Sequence, residues 1–447
     1  MTQITSDQRY VVLERMMLIL FIFLRVQLFM RFIGVAVGYD ALSQITMTQE
    51  VWWTKALPSL DAFFYAYHPP LGFLIARSLM IFGISPLVSI QIVVGLASLF
   101  AFVCLRATLN TIDLLYRQCG IFFLYIGSSF PVQVFMARSV NLDVIILALT
   151  SFIIFVSVRY FWIKPQISGY LIQSKSLLIR NIKIWLPTIL LVIAICVGLM
   201  TKFSGIKLVL VPFFVATTTS FLKRQKIIRS IAIGLVSICL VLPFYFLRYY
   251  VPTGDFFPGN EEWYIKKELT TARTLRDRDI GRFLLYLFVN PLPTFIPIKP
   301  PPIVVPSIGQ TWVDLWLKND LIESSSSQLR TISLVYKKIF GWLVRIGIFI
   351  WIIKKNNNNT TAIWWQFGIL LAEVGFLEIV TLSAYVYKYP VWDYYPQKAI
   401  YVAPLTWLIS FLVTTVIIFP RFPRIVSRIS LIFVICFMVI NHLLPVY

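Results

Sequence analysis

The chain has 447 residues, of which 59% are hydrophobic and only 13% are charged. A soluble domain is about half apolar and about a quarter charged, so this composition excludes an ordinary soluble enzyme. The 40 Lys and Arg against 19 Asp and Glu give a net charge of +21, which in a soluble chain would point to nucleic acid; here the charges sit in short loops between apolar runs, where they set topology and meet headgroups.

A spanning helix needs about 20 mostly apolar residues. In chain order the runs of that kind are 14–35, 87–106, 118–137, 144–162, 184–201, 205–222, 227–249, 331–353, 362–384, 399–419 and 427–445. The first begins near Met16 with no small-residue cleavage site after it, so it is expected to stay as a helix. Two further apolar stretches are too short: 71–83, with Arg77 in its middle, and 283–297, broken by Pro291 and Pro293. The five cysteines (Cys104, Cys119, Cys196, Cys239 and Cys436) lack metal-ligand or disulfide-framework spacing.

Charge bias decides how these runs thread. If 71–83 lies flat at the interface and the N-terminus is inside, every basic cluster in a short loop falls inside. Those clusters are Arg106/Arg117, Arg159 to Lys183, Lys223 to Arg229, Lys354/Lys355 and Arg421 to Arg428. If 71–83 spanned, all of them would face out. The expected fold is therefore an all-α polytopic membrane protein of about eleven transmembrane helices. Interfacial helices are expected in the first outer loop, 36–86, and in the long fourth one, 250–330. Three parts follow: 1–249 as an N-terminal membrane module, 250–330 as an outer loop, and 331–447 as C-terminal helices.

Ionisable residues at the outer helix ends need a reason for being there. By this topology one face carries Asp40, Glu50, His68, Arg138, Asp143, Lys202 and Lys398, with Tyr395 beside the last. Each has a plain structural alternative. Asp40 can be a solvated loop acid, Arg138 and Asp143 an ion pair across a turn, Lys202 a snorkelling lysine, and His68 a packed loop residue. Their joint placement is what favours a site of acids that accept a proton and cations that hold a phosphate. His68 with nearby acids leaves a divalent metal as an open alternative that the spacing does not compel.

These motifs resemble the GT-C superfamily of polytopic glycosyltransferases, and within it the protein O-mannosyltransferase and lipid A aminoarabinose transferase group. The likeness runs over roughly residues 30–210: Asp40 after the first helix, His68-Pro69-Pro70-Leu71 opening a segment that ends in Phe82-Gly83, Ala137-Arg138 with Asp143, then Thr201-Lys202. The mannosyltransferases carry Asp-Glu after the first helix, whereas Ala41 follows Asp40 here. They also carry a large insert that the 250–330 loop lacks. The C-terminal half is similar only in plan, with Tyr395-Pro396 and Lys398 near the last outer loop.

The resemblance implies a polyprenyl-phosphate sugar donor, an acceptor hydroxyl and inversion at the sugar. It implies catalytic roles for Asp40 and Asp143, with Lys202, Arg138, Lys398 and Arg276 on the donor phosphate. His68, Glu50 and Tyr395 would contact substrate. The size, the plan and the expected absence of a cleavable signal fit a bacterial inner membrane with the site facing the periplasm, and an endoplasmic-reticulum membrane with a lumenal site is the alternative. The alternatives are a transporter or flippase of lipid-linked sugars, a polymerase or ligase of surface polysaccharide, and a non-catalytic subunit of the same fold.

Overall fold

The structure is a computed structural model that describes residues 6–37, 41–63, 65–162, 177–219, 224–258, 294–296, 303–305, 342–353, 359–388, 403–418 and 424–443. The helices are α1 (Ser6–Phe32), α2 (Ala41–Glu50), α3 (Leu71–Leu79), α4 (Pro86–Thr111), α5 (Gln118–Ser128), α6 (Pro131–Arg138) and α7 (Asp143–Ser157). They continue with α8 (Leu177–Thr201), α9 (Val211–Thr219), α10 (Arg224–Tyr245), α11 (Trp342–Ile353), α12 (Asn359–Lys388), α13 (Leu405–Ile418) and α14 (Arg424–Leu443). Among the described residues, four helices are long and apolar enough to cross a bilayer unaided: Pro86–Thr111, Asp143–Trp162, Gln225–Thr253 and Thr361–Thr381. The fold is thus an all-α membrane protein.

Of the other expected spans, 118–137 and 205–222 depart from simple rods. The run 118–137 is a pair of helices, Gln118–Ser128 and Val132–Arg138, bent by 55°. Pro131 has no N–H to donate to the preceding turn, so a carbonyl is released at the break. Arg25 of α1 donates to the Ser128 oxygen and, at 3.3 Å, to the Gln133 oxygen, and Asn441 of α14 donates to the Ser129 oxygen at 3.0 Å. The run 205–222 opens as the 3₁₀ segment Phe203–Val209 before α9. The run 14–35 lies on α1, which carries Glu14, Arg15, Arg25 and Arg31. Glu14 is fully buried, paired with Arg106 at 2.7 Å, and Tyr125 donates to its carbonyl at 3.2 Å.

The segment 71–83 is α3 plus a 3₁₀ turn, Met80–Phe82. At about 1.5 Å per residue it reaches roughly 18 Å, short of the ~30 Å hydrocarbon core. In the 250–330 loop the described residues are 250–258, 294–296 and 303–305, and the last two segments form an antiparallel pair, β1 (Thr294–Ile296) and β2 (Ile303–Val305). Apart from 294–296, the stretch 283–297 where an interfacial helix is expected lies outside the described residues.

The central helix is α7, which packs most widely on α4 and then on α8 and α9. Outward, α1 exposes Met16, Ile19, Phe23, Val26 and Met30 while burying Met17, Phe21, Leu24 and Leu28. A helix apolar on both faces suits a bundle whose exterior meets lipid.

Candidate functional site

Three separated motifs meet where α3, α7 and α8 begin or end. Gly72, on the first turn of α3, marks the contact: a Cβ there would stand 2.9 Å from Thr201 Cγ2 and 3.0 Å from Leu142 Cδ1. With a hydrogen at this position, Gly72 lies close against the side chains of Leu142, before α7, and Thr201, at the end of α8. Gly205 does the same on the other side. Its Cβ would fall 2.3 Å from the Gly198 carbonyl oxygen, so glycine is what allows the chain to fold back after Thr201. Lys202 sits at that reversal, with its N–H on the Gly198 oxygen at 3.1 Å and its own oxygen accepting from the Gly205 N–H at 2.9 Å.

The central interaction is an ion pair. Lys202 Nζ donates to Asp143 Oδ2 at 2.5 Å, with the side chains 12% and 4% exposed. Asp143 opens α7, and its N–H is capped by Asn141 Oδ1 at 2.9 Å. The carboxylate therefore pairs with Lys202, and the pairing with Arg138 across the turn that the sequence allows is not the one formed. Arg138 is buried, with its guanidinium 4.5 Å over the Phe32 ring and 5.6 Å over Phe135.

His68 lies beside this pair. Its ring lies 4.4 Å from Tyr65 and 4.2 Å from Tyr67, tilted by 44° and 31°, with Phe203 at 6.1 Å. Its Nδ1 is buried with no hydrogen-bond partner, as is the hydroxyl of Ser204 two residues after Lys202. Burial, reinforced by the nearby Lys202 ammonium, holds the imidazole well below the usual histidine range, so it is neutral at pH 7. The loop leading to it is held by Arg248, which donates to the Pro58 oxygen and, at 3.2 Å, to the Ala66 oxygen.

The segment after α1 is tied to the same turn. Val140 N–H donates to the Val37 oxygen at 2.7 Å, Gln44 Nε2 to the Val140 oxygen at 3.0 Å, and Leu142 N–H to Gln44 Oε1 at 3.3 Å. The chain on either side of residues 38–40 is therefore bound to the turn that precedes Asp143. Asp40 itself lies outside the described residues, as do Arg276, Tyr395 and Lys398. Glu50 ends α2 on an exposed face and takes part in no ion pair among the described residues. No group of three or more His, Cys, Asp or Glu side chains among the described residues lies close enough to hold a metal.

A second charged pair lies deeper. Lys207 Nζ donates to Glu378 Oε2 of α12 at 2.5 Å, with the side chains 4% and 2% exposed. Five residues earlier on α12, Glu373 accepts from the Thr218 hydroxyl at 2.5 Å. Sequence reasoning passed over these residues because they fall inside apolar runs. The signal was available: an ionisable group in the middle of a span calls for a partner or a function. Gln44 and Arg248 carried no comparable signal.

Comparison with family models, with curated proteins and with solved structures returns no match.

Proposed function

We propose that the chain is a GT-C-type membrane glycosyltransferase. It moves a sugar from a polyprenyl-phosphate donor to an acceptor hydroxyl, with inversion, at the periplasmic face of a bacterial inner membrane. The observation that carries this reading is the Lys202–Asp143 pair with His68 beside it. Three motif segments, far apart in the chain, supply one cation, one acid and one neutral imidazole to a single place.

In this reading Asp40 removes the proton from the acceptor hydroxyl as it attacks the anomeric carbon. Lys202 takes up the charge that gathers on the departing phosphate, helped by Arg138, Arg276 and Lys398. Asp143 holds the Lys202 ammonium in place, a positioning role in line with their 2.5 Å contact. His68, Glu50 and Tyr395 line the substrate path. The attachment of Val37 and Gln44 to the 140–142 turn supports a shared location for the first outer loop and Asp143.

A flippase of lipid-linked sugars is the second reading, and the broken α5–α6 span speaks for it, since broken helices line many transport sites. Here the freed carbonyls are bonded to Arg25 and Asn441, which fills the place a transported cation would use.

The deciding experiment supplies sealed vesicles with a radiolabelled polyprenyl-phosphate sugar. Covalent transfer in the wild type, lost in Asp40→Asn at unchanged protein yield, is the expected result. Near-normal turnover in that variant removes Asp40 as the base. Label that crosses the membrane without covalent transfer favours the flippase.

A further inference from the structure

Between Asp143 and Asp255 the chain carries twelve lysines and arginines and not one acid. Nine of the twelve fall in two connections, 159–183 and 223–229. The structure joins these connections to each other. Lys226 of α10 donates to the Phe161 oxygen, and Arg229, three residues on, donates to the Tyr160 hydroxyl at 3.4 Å. Both acceptors belong to the π-helical turn Val158–Trp162 that extends α7. Arg159 stands on that turn and, like Arg229, is exposed. Cations from two separate stretches therefore gather at one junction. Like charges one helical turn apart, such as Lys226 and Arg229, repel. Among the described residues no acid pairs with Arg159 or Arg229. Glu14 and Asp113, which the expected threading puts at the same end of the bundle, already hold Arg106 and Arg117.

Aromatic residues mark the depth of this junction. Tyr116, Tyr160, Trp162 and Trp185 lie at or near helix ends on the same face, with Tyr116 38% and Trp185 60% exposed, and Trp and Tyr collect at headgroup level. The Tyr160 hydroxyl accepts from Arg229 and keeps its own hydrogen to donate. Their 3.4 Å contact is long for a hydrogen bond, so neither group is fully spent on the other. A guanidinium and an O–H side by side, with a second guanidinium next in sequence, suit the oxygens of a phosphate anion.

We propose that the junction of the Val158–Trp162 turn with α10 binds the phosphodiester headgroup of an anionic phospholipid, with Arg159 and Arg229 on the phosphate and the Tyr160 hydroxyl donating beside them. This is independent of the sugar-transfer reading and lies at the opposite end of α7 from Asp143. Basic loops set orientation by their number alone. Here the cations are also brought to one spot with nothing of opposite charge built in beside Arg159 and Arg229. A lipid is the partner because the spot lies among helix ends and interfacial aromatics, where anionic headgroups are concentrated and basic residues attract them.

Native mass spectrometry of the full chain, released from mixed micelles of phosphatidylglycerol and phosphatidylcholine, tests this. The wild type should retain phosphatidylglycerol in preference. Arg159→Gln and Arg229→Gln should each weaken that retention about fivefold, the worth of one basic residue near an anionic surface. Tyr160→Phe should weaken it less. Arg9→Gln, which removes an exposed arginine from α1 at the same end, should leave it unchanged. A wild type that keeps both lipids alike overturns the proposal, and that comparison needs no variant to fold. An Arg9→Gln loss equal to that of Arg229→Gln also overturns it, because the attraction would then be diffuse charge and not a site. Dimethyl phosphate tests the source of the phosphate. If it displaces phosphatidylglycerol at a similar concentration, the site takes a free anion and the lipid assignment falls.

Discussion

Removing the Lys202–Asp143 pair one charge at a time, and then entirely, separates a strut from a working site. The Asp143 carboxylate is 4% exposed and its one side-chain partner among the described residues is Lys202, 2.5 Å away. Lys202→Met therefore leaves a buried, unpaired carboxylate, a loss of about 3–5 kcal/mol for a pair broken from one side. The 12% exposure of Lys202 puts the expected cost near the lower end, about 3 kcal/mol. Asp143→Leu is milder, about 1–3 kcal/mol, because the long lysine stem can carry its charge toward water. The double variant Asp143→Leu/Lys202→Met has neither charge to desolvate, and such replacements run from neutral to stabilising. The sum of the single losses should thus exceed the double loss by about 3 kcal/mol or more. Equilibrium unfolding in mixed micelles measures this coupling. Transfer from a labelled polyprenyl-phosphate sugar is measured on the same samples. The expected outcome is a double variant that folds like the wild type and transfers nothing. A coupling below about 0.5 kcal/mol would refute the energetic argument. Wild-type transfer by the folded double variant would make the pair a strut between α7 and α8 and nothing more.

Two further outcomes follow from the geometry. Gly205→Ala would put a Cβ 2.3 Å from the Gly198 carbonyl oxygen, a backbone atom that no rotamer can move. It should cost about 1–3 kcal/mol or more, as overpacking does, and disturb Lys202, so folded yield and sugar transfer should fall together; a thermal midpoint equal to wild type would contradict the close approach. The buried, neutral His68 has a folded-state pKa lowered below the usual value near 6.5, by burial first and by Lys202 second. Above that value both states are neutral and the group contributes nothing to pH dependence. Below it the unfolded chain binds a proton that the folded chain does not, so stability should fall by up to about 1.4 kcal/mol per pH unit. His68→Phe should flatten that part of the stability curve just below pH 6.5, and an unchanged slope would show that His68 is not held neutral.

How much of this was legible without coordinates varies by element. Hydropathy located Pro86–Thr111, Asp143–Trp162, Gln225–Thr253 and Thr361–Thr381 because each is a long run that must satisfy its own backbone. It also set apart 71–83, too short to cross. It could not show that 118–137 breaks, although Pro131 stands in it, because proline is tolerated in spans whenever neighbours take the freed carbonyls. That condition is met by Arg25 and Asn441, one more than 100 and the other more than 300 residues from the break along the chain. Arg25 in the first span thus has a structural partner, which the sequence could only assume. The two-stranded pair at 294–305 was hidden for a different reason, since three-residue strands are below the length at which alternation carries a signal.

The choice of partner for Asp143 shows why the site was only partly readable. Spacing put Arg138 and Asp143 at opposite ends of one short turn, and an ion pair between them is the economical guess. Yet Arg138 ends α6 and Asp143 begins α7, so each charge already sits at the helix end whose dipole favours it, the cation at a C-terminus and the anion at an N-terminus. Neither needs the other. Asp143 is left to bind a cation that helps join separate helices, and Lys202 is delivered by the chain reversal that Gly205 permits. The same logic applies to Glu378, which takes Lys207 from the next turn of that reversal. Both lysines thus come from one seven-residue 3₁₀ segment and its leading residue, and both acids come from helices that pack on it. A charged cluster assembled in this way depends on backbone approach at glycine positions more than on the spacing of the charges themselves. It is therefore the glycine substitution, more than any charge swap, that should dismantle both pairs at once.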